Sequence, residues 1–139
     1  MKRIIATAAI MLPLAGAAMA QDLTPSPDGA SVYIISPADG NAVGSPLTVV
    51  FGLSGMGVAP AGTETENTGH HHLLINTDLP PLDEPIPADE NHVHFGGGQT
   101  QVQIELPPGE HTLQLLLGDL NHIPHDPPIM SDPITVTVE

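Results

Sequence analysis

Cysteine and tryptophan are absent from the 139 residues, and the aromatic side chains amount to one tyrosine and two phenylalanines. Lysine and arginine stop at Lys2 and Arg3; setting those two aside takes the formal net charge from −14 to −16 with histidine neutral. Each absence removes a class of explanation. Without cysteine there is no disulfide framework and no lipid-bearing cysteine. Without a cysteine pair or tryptophan, an antibody-type domain is not supported. Without basic side chains there is nothing to hold nucleic acid or anionic lipid, both of which are bound mainly through Lys and Arg. Such a surface attracts cations. Histidine is then the only side chain able to become positive, so carboxylate pairing within the protein depends on pH. The familiar catalytic motifs are missing too. The nearest approach to a G-x-S-x-G elbow, Gly52-Leu53-Ser54-Gly55, has the wrong spacing, and no H-E-x-x-H, P-loop or G-x-G-x-x-G occurs.

The chain opens with the marks of a secretory signal: Lys2-Arg3, an apolar run from Ile4 to Ala17, and Ala18-Met19-Ala20 as an A-x-A cleavage site. The run is too short and too alanine-rich for a membrane span. The expected organisation is a signal peptide over 1–20, a flexible lead-in over 21–30 and one domain over 31–139. The expected address is the periplasm, with no membrane insertion after cleavage.

The remainder reads as short strands between Pro and Gly punctuation, with no helical period of useful length. Strands are expected at about 31–36, 46–53, 70–76, 92–95, 100–106, 111–117 and 133–138. Val102, Ile104 and Leu106 alternate with Gln101, Gln103 and Glu105, and Leu113, Leu115 and Leu117 form the next inward row. This pattern predicts an all-β fold, an immunoglobulin-like antiparallel β-sandwich of about seven strands. Two connections are too long for simple turns. Residues 77–91 carry four prolines and five acids, which predicts a stiff, exposed loop, and residues 118–131 carry two histidines.

Those histidines complete a pattern. His70, His71 and His72 enter an apolar strand, His92 and His94 flank Val93, and His122 and His125 bracket Pro124. In an up-and-down sandwich, three connections share one end of the domain, so these seven histidines are expected there, with Met56 and Met130. Strand alternation turns His71 inward with Leu73 and Ile75. It places each H-x-H pair on one side, about 6.5–7 Å apart at Cα, a spacing that suits chelation of one ion. The expected ligands are His72, His94, His122 and His125, followed by His70 and His92. Asp119 and Asp126 are candidate acceptors for imidazole N–H groups. Imidazole suits copper and zinc alike, and nearby thioethers lean the choice to a copper ion, with zinc as the alternative. His111, in phase with Leu113 and Leu115, reads as structural. A carboxylate calcium loop is not indicated, since no D-x-D-x-D-G pattern occurs. A superoxide dismutase is excluded, because no arginine steers the anion and the negative surface repels it.

The segments GHHHLLI (69–75), ENHVHFGGGQT (90–100) and LPPGEHTLQLLLGDLNHIPHDPP (106–128) resemble the secreted bacterial family of domain of unknown function 4399, over Ser36 to Val138. The family brings no established activity. The reading of the residues is a periplasmic, non-enzymatic, histidine-rich protein that binds copper for storage, delivery or buffering. Its affinity is expected to fall below about pH 6, where imidazole takes up a proton. The alternative is a non-catalytic interaction module for another periplasmic or envelope protein, its histidines locking loops. A metalloenzyme would need an open coordination position beside a pocket.

Overall fold

The computed structural model describes residues 22–139; the expected signal peptide lies outside the described residues. The described chain has no helix and nine strands: β1 (Ser31–Ser36), β2 (Ala42–Val43), β3 (Leu47–Ser54), β4 (Gly57–Val58), β5 (Thr68–Ile75), β6 (His92–His94), β7 (Gln101–Ile104), β8 (Gly109–Gly118) and β9 (Ile134–Val138). They form a sandwich. One sheet runs β1-β3-β7, the other β2-β9-β8-β5-β4, with β6 also paired to β5. The alternation of apolar and polar residues explains the layers. Val49 and Phe51 from one sheet meet Leu73, Ile75, Leu113, Leu115, Leu117 and Val136 from the other in a single core. The expected all-β sandwich is therefore present, with two departures. Two extra strands of two residues each appear, β2 beside β9 and β4 beside β5, and both pair in parallel, so the larger sheet is mixed rather than antiparallel. Pairings this short carry too little pattern to stand out in a sequence.

A second, smaller cluster of Leu74, Leu116 and Ile86, with Leu82 against it, lies on the face of the larger sheet turned away from the core. Leu82 and Ile86 belong to the proline-rich connection, so this loop is folded onto the sheet rather than fully exposed; Ile86 is buried. Apolar residues inside an acidic loop supply the reason. The segment 22–30 is tied to the connection between β8 and β9. Ser26 N–H donates to Asp126 O, Asp126 N–H to Thr24 O, and Ser26 Oγ to Pro127 O. No helix among the described residues is long and apolar enough to cross a membrane.

Candidate metal centre

Period-two geometry splits the three consecutive histidines of β5 between the two faces of the sheet. His71 points into the core, its ring 5.1 Å from that of Phe51. His70 and His72 point outward with Leu74. The β5–β6 register sets His94 directly across from His72, and His92 across from Leu74. His122 arrives from the connection after β8. The four rings of His70, His72, His94 and His122 pack together, edge-on at the His70–His94, His70–His122, His72–His122 and His94–His122 pairs and tilted at the other two, with centroids from 4.6 Å (His94–His122) to 6.2 Å (His72–His122). Each offers one ring nitrogen, and these atoms lie within 4.8 Å of one another, a group that can hold a metal ion. Four nitrogens bonded to one ion at about 2.0–2.1 Å in a tetrahedron stand about 3.3 Å apart, so closing the set asks for ring movements on the order of an ångström.

His122 has to be delivered to this face by its loop. Asp119, itself buried, organises that loop: its carboxylate accepts from Asn121 N–H (2.8 Å), Ile123 N–H (3.0 Å) and Thr24 Oγ1–H (2.6 Å). Its backbone carbonyl accepts from His122 N–H at 3.0 Å, and His122 O accepts from Ile86 N–H at 2.8 Å. His122 holds a positive φ of 66°, a conformation that a side-chain-bearing residue adopts at some cost when its surroundings dictate it. Its Nδ1 lies 3.0 Å from His70 Nε2, one ring's N–H donating to the bare nitrogen of the other.

Two glycines make the room. A Cβ at Gly118 would lie 2.6 Å from His72 Cε1 and 3.1 Å from its Nδ1, and a Cβ at Gly96 would collide with the His94 ring. Neither residue has the left-handed backbone that calls for glycine. The imidazoles are the reason for them.

The electrostatics favour the neutral form of His70, His72 and His94. Burial, then repulsion from His122 and His94, pushes the His70 imidazole down to about 4. Burial, then His70, His94 and His122, pushes His72 down to about 3. Burial and His122 also lower His94. A neutral imidazole has a free lone pair, the form a metal requires. His72 Nδ1 is buried and has no hydrogen-bond partner. Leaving such an atom unpaired costs about 1–3 kcal/mol; outside the group, His71 and His125 also carry unpaired buried ring nitrogens, so at His72 the feature counts only together with the three neighbouring rings.

Of the six histidines expected as ligands, the structure brings together His70, His72, His94 and His122; His92 and His125 stand outside the group. His92 Nδ1–H donates to Asp89 Oδ1 at 2.8 Å. His125 is buried, with Nε2–H donating to Thr68 O at 3.2 Å. The site lies on the outer face of the larger sheet, toward the end where β5 begins and β8 finishes, with His70 standing across from Gly118. Asp119 and Asp126 accept no imidazole N–H among the described residues; the Asp119 carboxylate is occupied by its own loop and by Thr24. The thioethers are engaged elsewhere: Met56 packs against the main core and Met130 lines a groove with Val32, Tyr33 and Ile34. His111 is structural, its Nδ1 2.9 Å from Asn76 Nδ2 and its Nε2–H donating to Pro107 O at 2.7 Å. Sequence reasoning missed Gly96, Gly118 and the Ile86 clamp. A glycine following an H-x-H strand and one closing a leucine-rich strand were the available signals.

A family model described as domain of unknown function (DUF4399) matches residues 49–139, a span that holds all four clustered histidines and both glycines. No curated protein and no solved structure matches the chain.

Proposed function

Starting from a chain that belongs to the DUF4399 family, we propose that it is a non-enzymatic periplasmic protein that binds one copper ion through His70, His72, His94 and His122. One observation carries the reading. Imidazoles from three separate stretches of chain present their nitrogens within 4.8 Å of one another, and one buried nitrogen there has no partner. Copper is favoured over zinc on ligand chemistry. Divalent copper binds nitrogen donors more tightly than the other first-row ions, and without a thioether at the site the cuprous form loses its special advantage. Zinc remains the alternative. A site outside the cytoplasm fits the signal-like opening of the chain.

The test is a titration of the metal-free protein with Cu(II) and Zn(II) by calorimetry at neutral pH, with the visible spectrum of the copper form. One-to-one binding with Cu(II) tighter than Zn(II) is expected. Absence of heat for both ions rules the reading out. The second reading, an envelope interaction module with structural histidines, draws on His92, His111 and His125, each held by a protein acceptor or donor. It requires that folding and partner binding be indifferent to metal.

A further inference from the structure

The four candidate ligands are not equally covered. His70 and His72 are each 1% exposed, His122 is half-buried beneath its loop, and His94 is open to solvent. His94 also sits on a short support, the three-residue edge strand β6, followed after Phe95 by Gly96-Gly97-Gly98. The surroundings on that side are unusual for this chain. Residues 91–104 contain no acid, although the protein carries 16 acidic residues. A donor approaching His94 along this stretch meets no carboxylate of the same stretch that would compete for the cation; the side chain over Gly97 is the neutral amide of Gln99.

We propose that the ion enters and leaves across His94, by direct exchange with an acceptor that presents its own nitrogen donor at this open side. The inference rests on the copper-binding reading and narrows it from storage to delivery. In the exchange, the bond from the ion to His94 breaks as a bond to the acceptor's nitrogen forms. His94 leaves as neutral imidazole, the ion keeps its charge, and no electron or proton moves. His70 and His72 hold the ion from within until the acceptor has gathered enough donors to remove it. Gly96 admits the His94 ring in its present place, since a side chain there would occupy the volume of the ring.

The experiment mixes the copper(II)-loaded full chain with pyridylazoresorcinol, a nitrogen-donor chelator that changes colour on binding, in a stopped-flow instrument. The transfer rate is expected to rise in proportion to chelator concentration. His94→Ala is expected to speed transfer about tenfold or more, and His122→Ala, which vacates the roofed side, to speed it less. His92→Gln leaves the rate unchanged. A rate independent of chelator concentration overturns the assignment, as does a His122→Ala effect equal to that of His94→Ala. If His94→Ala retains no copper through gel filtration, the concentration dependence of the unaltered protein decides by itself. If the unaltered protein retains no copper, the binding reading falls and this inference with it, a result distinct from retention with the wrong kinetics.

Discussion

His72 lies against the bare Cα of Gly118, close enough that a Cβ there would sit 2.6 Å from its Cε1. Because the backbone at Gly118 has no need of glycine, the contact ties this strand residue to the candidate centre. Gly118→Ala should displace the His72 ring, weaken Cu(II) binding by about tenfold or more, and cost about 1–3 kcal/mol of stability by overpacking. Gly96→Ala should act through His94 and be gentler, being at the sheet edge. A double-mutant cycle checks the cause: Gly96→Ala should have no effect on affinity once His94 is alanine. An undiminished effect in that background would mean the glycine acts on something else.

The histidines divide into clustered and hydrogen-bonded sets, and substitution should separate them. His72→Ala and His70→Ala are each expected to lower Cu(II) affinity by about 100-fold or more, since loss of a ligand exceeds the 10–100-fold typical of a supporting contact. His92→Gln is expected to leave affinity within about threefold, its imidazole being bound to Asp89. Calorimetry on this panel reads both. A large loss from His92→Gln with none from His70→Ala would invert the assignment.

Much of this was legible in the residues because β-structure writes itself at period two. Leu113, Leu115 and Leu117 announced the inner face of β8, and His71 could be turned inward from Leu73 and Ile75 alone. The pairing register was not legible. Only the structure shows that His94 stands across from His72 while His92 falls across from Leu74, which separates two histidines that share a face. Loops are harder still. His122 and His125 look equivalent around Pro124, yet the buried Asp119 carboxylate and the Ile86 clamp aim one at the cluster, and the other bonds to Thr68 O. The outward facing of His70 and His72 follows from the alternation that turns His71 inward, whereas the partners that complete the group follow from the register and the loop.

His71 offers a test that leaves the candidate centre alone. It is fully buried against Phe51, and neither ring nitrogen has a partner. Burial pushes its imidazole down to about 4. An aliphatic side chain of similar size removes the unpaired polar atoms, so His71→Leu should raise the urea stability at pH 7 by about 1–2 kcal/mol. Copper affinity should stay put, because His71 faces the core and the clustered rings face away. A destabilised variant would show that a hydrogen bond of the His71 ring, or its particular shape, matters more than its polarity.

The metal-free protein should lose stability as pH falls through a defined window. In the unfolded chain these imidazoles take up protons near 6.5; in the folded chain His70 and His71 wait until about 4 and His72 until about 3. Between those limits the unfolded state binds more protons, so stability declines with falling pH and is untouched by these groups above about pH 7.5. His71 alone, its imidazole pushed down to about 4 by burial, accounts for about 3 kcal/mol across the window. Urea midpoints at pH 7.5, 6, 5 and 4.5 should step downward, and a flat series from 7.5 to 4.5 would refute the burial argument. The same depression bears on the metal. His70 and His72 stay neutral until about 4 and about 3, so proton competition at these two ligands sets in well below pH 6. Copper therefore opposes acid unfolding: it binds only the neutral rings, and a loaded sample should keep its pH 7.5 urea midpoint more nearly at pH 5 than the metal-free protein does.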